Sequence, residues 1–338
     1  MSKALALVVV LFFVAFCGEC YGELRVGFYK GKCGITDVEE VVRDVVRIWH
    51  FTKREKDIAA ALLRMQFHDC FVNGCDASIL LDGNNSEKKA LPNSSVRGYS
   101  LIDAIKEALE ARCKGLVSCA DIISMATRDA VVLSGGKWYN VETGRKDGKV
   151  SLASNVNLPS PSISVSDSIK VFGSKSLFGN KRLSATDMVY LLGGHTVGNT
   201  RCSLIQDRIY NFNNTGVHDP TMSQWLFSEL VKKCPRVPSN NVDNIIPLDM
   251  KSPSFVDNSF FQEIQKGNGV LQIDQQLAFD GLTKKIVGDI IKDPNFFTKF
   301  GEAMVKLGRV EVLTDGQGEV RTSCRVVNKK SFFFGLFN

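Results

Sequence analysis

A chain of 338 residues that is 44% apolar and 23% charged, with only nine prolines, can bury one large core or two modest ones; it is neither a disordered tail nor a collagen. Its 42 basic and 36 acidic side chains leave a net charge of +6, too mild over this length to be a nucleic-acid footprint. Ten cysteines are too few for a small disulfide scaffold and many for a reducing compartment.

The first residues address the compartment. Behind Lys3, residues 4–17 are apolar throughout, short of the roughly twenty needed to cross a bilayer and suited to a signal-peptide core. Cys20 and Gly22 stand three and one places before a cleavage point ahead of Glu23, so a signal peptide over 1–22 is expected. Cleavage discards Cys17 and Cys20 and leaves Cys33, Cys70, Cys75, Cys113, Cys119, Cys202, Cys234 and Cys324. Eight cysteines in an oxidising compartment imply four disulfides, and counting alone allows 105 connectivities, although Cys70 and Cys75 are near enough to close a loop together.

Further along, Val38, Val41, Val42, Val45, Ile48 and Trp49 recur at helical spacing, and 58–67 is rich in alanine and leucine. Ser100 with Asp103 reads as a capping box ahead of Leu101, Ile102, Ile105 and Leu109, and 119–133 as a helix stopped by Gly135 and Gly136. Ser184 with Asp187 caps a segment carrying Met188, Val189, Leu191 and Leu192, while 225–231, 260–264 and 296–307 repeat the amphipathic pattern. Strand signals are nearly absent. Long polar stretches at 82–95, 144–164 and 239–254 separate the helices and suit ligand-shaping loops. The expected architecture is one all-α unit, in two lobes, with minimal β.

Four histidines restrict any imidazole chemistry to His50, His68, His195 and His218. His50 and His218 have no second ligand or orienting carboxylate nearby and read as solvated. His68 follows Arg64 by four residues on one helix face, pairing a base with a fixed cation. Such a pair takes a proton from a weak acid while stabilising the anion that develops. Directly after it, Asp69, Asp76, Ser78 and the Gly74 turn crowd hard oxygen ligands into a loop that a disulfide can pin, which suits calcium. A second oxygen cluster, Asp249, Ser252 and Asp257, can join Thr196. His195 stands behind two glycines that let a large planar ligand approach the backbone, and Asp274 can hold its other ring nitrogen.

Taken together, these residues are recognisable. RMQFHDCFVNGCDAS over 64–78 resembles the distal motif of the class III secretory plant haem peroxidases, and GGHT over 193–196 resembles their proximal motif, in family order. The likeness runs on through VSCAD at 117–121, Trp138, GRKDG at 144–148, NLPSP at 157–161 and CRVVN at 324–328. It implies the haem peroxidase fold, with about ten or more helices in two lobes around one haem b, over a domain spanning 23–328. His195 would be the axial iron ligand with Asp274 behind it. His68 would shuttle the peroxide proton, Arg64 would stabilise the separating charge, Asn93 would keep His68 basic, and Phe67 would shield a ferryl oxidant. That oxidant would take single electrons from phenolic donors beside Pro159. The resemblance assigns a distal calcium to Asp69, Val72, Gly74, Asp76 and Ser78, with Glu87 tying the site to the haem pocket, and a proximal calcium to Thr196, Asp249, Ser252, Phe255 and Asp257. It pairs Cys33 with Cys113, Cys70 with Cys75, Cys119 with Cys324, and Cys202 with Cys234.

Departures from the family pattern are Gln66 for a common histidine, Gly34 for a proline and Ser252 for a threonine. Leu91, Ser162 and Leu204 make the donor entrance poor in aromatics. Sequons stand at Asn84, Asn93 and Asn213; Asn93 should be buried beside His68, leaving Asn213 as the better glycan site. The apolar extension over 329–338 matches a vacuolar sorting propeptide, so the expected destinations are the apoplast or cell wall first and the vacuole second. Expected partners are hydrogen peroxide and small phenols, with no nucleic acid, no membrane span and a monomeric state. Two other readings are a phosphohydrolase of the HD type, from the His68-Asp69 doublet, and a wall-binding scaffold without turnover.

Overall fold

The computed structural model describes residues 24–52, 57–179, 181–236 and 242–329. The signal peptide expected over 1–22 lies outside them, as does the C-terminal extension apart from Lys329.

Four helices build the first half. In α1 (Val38–Phe51) Asp37 accepts the N–H groups of Glu39 and Glu40 at 2.9 and 3.3 Å, and Val38, Val42 and Val46 bury one stripe. Helix α2 (Ile58–Cys70) is buried almost all round, whereas α3 (Tyr99–Glu110) buries one face. Helix α4 (Cys119–Leu133) starts where Ser118 Oγ accepts the Asp121 N–H, is buried over nearly its whole length, and has α1, α2 and α3 packed around it. It stops at Gly135, whose φ of +97° only glycine adopts freely, as the double glycine predicts.

The capping box expected at Ser100 does not form. Gly98 is the N-cap, so Ser100 lies inside the first turn, and the Asp103 carboxylate takes the Arg325 guanidinium instead, at 2.6 and 2.8 Å. Tertiary pairing with a residue over 200 positions away wins over the local cap.

Eight helices follow among the described residues: α5 (Val165–Ser174), α6 (Ala185–Leu192), α7 (Gln206–Tyr210), α8 (Gln224–Lys233), α9 (Ser259–Gln265), α10 (Gln272–Phe279), α11 (Lys284–Lys292) and α12 (Phe296–Leu307). The Ser184–Asp187 box that opens α6 is reciprocal, Asp187 N–H to Ser184 Oγ at 3.1 Å and Ser184 N–H to Asp187 at 2.9 Å. Helices α5, α7, α10 and α11 were not expected from periodicity. In α10 the reason is visible, because Asp274 and Gln275 are buried and a polar side chain turned inward erases the apolar stripe. Among the described residues strand is confined to three antiparallel pairs, β1 (Arg25–Val26) with β2 (Glu142–Thr143), β3 (Ser176–Leu177) with β4 (Lys181–Arg182), and β5 (Asn199–Arg201) with β6 (Ile245–Pro247).

Covalent and ionic ties fasten the fold, and of the four disulfides Cys119–Cys324 is the one that links the two halves. Disulfides join Cys33 to Cys113, Cys70 to Cys75, Cys119 to Cys324, and Cys202 to Cys234. Buried Arg145 donates from Nη1 to Asp121 of α4 at 2.7 Å and from Nε to the Gly308 carbonyl behind α12 at 2.8 Å. Tyr29 Oη and the Gly144 N–H complete the Asp121 carboxylate, both at 2.7 Å, so the VSCAD and GRKDG motifs meet as one framework.

Candidate active site and cation loops

Helix α2 carries the first imidazole. Its only residues that are not fully buried are Ala60, Arg64 and Phe67, at i, i+4 and i+7, so one strip of an otherwise enclosed helix is left uncovered by protein. His68 Nδ1 lies 2.6 Å from Asn93 Oδ1, and Asn93 Nδ2 donates to the Glu87 carbonyl at 2.9 Å. That second bond orients the amide, so its oxygen must accept from Nδ1–H and Nε2 carries the ring's lone pair. Arg64 Nε donates to Nε2 at 3.2 Å, while its Nη1 and Nη2 reach Ser95 Oγ at 3.0 Å and the Pro92 carbonyl at 2.9 Å. Burial first, and then the Arg64 charge, push His68 down to about 4 against the Asn93 bond. At neutral pH it is therefore an uncharged base.

The second imidazole sits on the 3-10 turn Gly193–Thr196 that continues α6. A Cβ on Gly193 would strike the Phe261 ring of α9, so glycine there lets the turn pack closely on that ring, while a Cβ on Gly194 would be in ordinary contact with Leu63 of α2. His195 Nδ1 is 2.8 Å from Asp274 Oδ1, and Asp274 is fully buried with its other oxygen unpartnered. Burial alone would depress this imidazole; the Asp274 carboxylate outweighs it and holds the ring above its ordinary value, and Arg64 acts on it from the facing helix. About a third of the side chain, 32%, stays uncovered. The carboxylate-held ring leaves Nε2 as a strongly donating nitrogen, the donor type an iron ligand requires.

Each histidine is followed at once by an oxygen cluster. After His68, Asp69, Asp76, Ser78 and Glu87 are all buried, with the small loop closed by Cys70–Cys75 lying between Asp69 and Asp76. Asp69 accepts the Ala77 N–H at 3.0 Å, Asp76 the Ser78 N–H at 2.9 Å, and Glu87 the Asn73 side-chain amide at 2.8 Å. Ser78 Oγ and Glu87 Oε2 have no partner. Burial pushes all three carboxyls up, Asp76 to about 6 and Glu87 to about 7, helped by repulsion from Asp76 and Glu87 at Asp69, from Asp147 at Asp76 and from Asp76 at Glu87. Buried acids beside orphaned oxygens are what a cation relieves. Among the described residues no three histidine, cysteine or acidic side chains gather closely enough to hold a metal by themselves. A cation here must draw on carbonyls such as those of Val72 and Gly74 and on the Ser78 hydroxyl, the hard oxygen set of calcium.

After His195, Thr196 Oγ1 donates to the Phe255 carbonyl at 3.1 Å and receives the Asp257 N–H at 3.3 Å. Asp249 accepts from the Ser252 N–H at 3.3 Å and from the Ser259 hydroxyl at 2.8 Å. The Ser259 N–H donates to Asp257 at 2.7 Å and bridges the two groups, so all five residues of the second cluster are in one network. Sequence reasoning missed Ser259 in it and missed Ser95, the anchor of Arg64; neither follows a spacing rule, since each is brought in by a turn.

Of the donor-side residues, Pro159 and Ser162 line a cavity of about 470 Å³. Leu91 and Leu204 are instead 86% and 64% exposed and stand outside it. His218 is not simply solvated, as expected, but stacks on Phe227 with centroids 4.2 Å apart; His50 ends α1 beside Phe51. Asn93 is buried, whereas Asn84 and Asn213 are exposed.

A family model described as peroxidase matches residues 42–293. Peroxidase 60 of Arabidopsis thaliana is 51% identical over 96% of this chain and 96% of its own length, and Peroxidase 57 of the same plant is 48% identical over 94% and 96%. Peroxidase 5 of Vitis vinifera is 41% identical over 96% and 97%. With its mostly helical fold, the chain belongs to the haem peroxidase family, among the class III plant enzymes. It is an enzyme that reduces hydrogen peroxide while oxidising donor molecules, EC 1.11.1.7. The hydrolase reading is thereby set aside. No helix of the described residues is long and apolar enough to cross a membrane.

Proposed function

We propose that this peroxidase holds one haem b on His195 Nε2, opposite His68, and couples peroxide reduction to single-electron oxidation of small phenols. Two phenols supply two electrons and two protons, so that one peroxide and two phenols give two waters and two phenoxyl radicals. When bound, the haem supplies a redox-active iron that passes those electrons to peroxide. His68 Nε2 takes the proton from one peroxide oxygen and returns it to the other, which leaves as water. Arg64, fixed by Ser95 and Pro92, stabilises the negative charge that develops as the O–O bond lengthens. Asn93 holds Nδ1–H and so keeps the proton-accepting lone pair on Nε2. Phe67 covers the site beside His68, and Asp274 keeps His195 electron-rich.

The reading extends to two calcium ions, one on Asp69, Val72, Gly74, Asp76 and Ser78 with Glu87 as the link to Asn93, the other on Thr196, Asp249, Ser252, Phe255 and Asp257. Each ion would fix the residue that follows a working histidine. Cross-linked cysteines and the leader-like 1–22 segment support secretion to the wall space, with vacuolar delivery through 329–338 as the second destination, and action as a monomer. The observation that best supports the assignment is the pair of oriented imidazoles, His68 on Asn93 and His195 on Asp274, one carried by α2 and the other by the turn that continues α6.

Purified protein should show a strong haem absorption band and oxidise guaiacol with peroxide. A colourless product after refolding with hemin and intact disulfides would overturn the assignment. Haem binding without guaiacol turnover would favour the wall-binding scaffold instead.

A further inference from the structure

We propose that the cavity beside Pro159 is a seat for an anionic phenol, and that Lys175 receives its carboxylate. This rests on the peroxidase reading above and specifies its donor as a phenolic acid rather than the matching neutral alcohol. The cavity, about 470 Å³, lies where the end of α2, the 155–163 loop and the end of α5 meet, and has the size of a small-molecule site.

Lys175 is the one charged residue on its wall; no carboxylate lines it. The ammonium is preset, because Nζ donates to the Phe71 carbonyl at 2.7 Å and stands 5.5 Å from the centroid of the Phe71 ring. One of its three N–H donors is spent there, leaving two for a ligand, and among the described residues it makes no ion pair. Phe71 is buried and the other apolar walls, among them Val72, Leu158 and Ile163, are aliphatic, so a neutral phenol finds no exposed ring to stack on. Charge is left to orient the donor. Phe71 in turn packs on Phe67 with centroids 4.2 Å apart, which sets the cavity one aromatic layer from His68.

The test uses the holoenzyme with ferulic acid and coniferyl alcohol, which share a ring and differ in carboxylate against hydroxymethyl. Kd is read by calorimetry without peroxide, and the ratio of kcat/KM values with peroxide, at about pH 6.5 where the acid is ionised. The wild type should favour the acid roughly fivefold, as a half-exposed ion pair allows. Lys175→Gln should bring both ratios near unity and Lys175→Arg should retain the preference. In the wild type alone the preference should fade between 0.01 and 1 M salt, as the Debye length drops from about 30 to about 3 Å. Equal affinities in the wild type, or a preference that survives Lys175→Gln, would overturn the seat. Lysine-dependent ferulate binding without oxidation of either donor would uphold the seat and overturn the peroxidase reading of this site.

Discussion

Replacing Asn93 by leucine isolates how His68 becomes a base. The side chain makes two buried bonds, one that holds the His68 Nδ1 proton and one to the Glu87 carbonyl. Leucine leaves both partners unpaired, each costing about 1–3 kcal/mol, and part of that cost bears on the tautomer with a free Nε2. If about 1.4 kcal/mol reaches the proton-transfer step, the bimolecular rate with peroxide falls roughly tenfold. His68→Leu removes the base itself and should cost about 10²- to 10⁴-fold. Stopped-flow mixing of each single variant and the double variant with peroxide completes the cycle. Because Asn93 works through His68, adding Asn93→Leu to His68→Leu should cost nothing more. The reasoning fails if the tenfold loss persists in the His68→Leu background, or if Asn93→Leu reacts at the wild-type rate.

Three further outcomes are expected. Arg145→Met strands the buried Asp121 carboxylate and should cost about 3–5 kcal/mol, read as a melting shift of several degrees in the oxidised holoenzyme, with part of the loss regained by adding Asp121→Leu. Chelation by EGTA should lower the melting temperature and calcium should restore it, since Asp69 is otherwise buried against the repelling charges of Asp76 and Glu87; an unmoved transition would count against a bound cation. Burial tends to raise Asp187, but Lys306 and the Ser184 cap hold it below the usual carboxylate range. A depressed carboxyl contributes stability above the unfolded value of about 4 and loses it as pH falls through the folded one. Denaturant unfolding of Asp187→Asn should therefore show a deficit of about 1 kcal/mol at neutral pH that closes only in acid.

The sequence by itself determined which chemistry was present and much of the helical frame. The end of helix 119–133 could be read because Gly135 and Gly136 stand within one turn of its last residue. The 64–78 and 193–196 motifs were equally local, and so were the oxygen-bearing side chains directly after His68, whereas Asp249, Ser252 and Asp257 join Thr196 only through the fold. Tertiary structure decided what spacing cannot encode. The Asn93 oxygen faces His68 because a Glu87 carbonyl turns the amide, Asp274 meets His195 across 79 residues, and Ser95 and Ser259 reach their partners only where the backbone turns. Asp103 left its expected cap for Arg325 for the same reason: a side chain bonds to whichever partner packing brings within about 3 Å, and chain proximity is only one way of getting there.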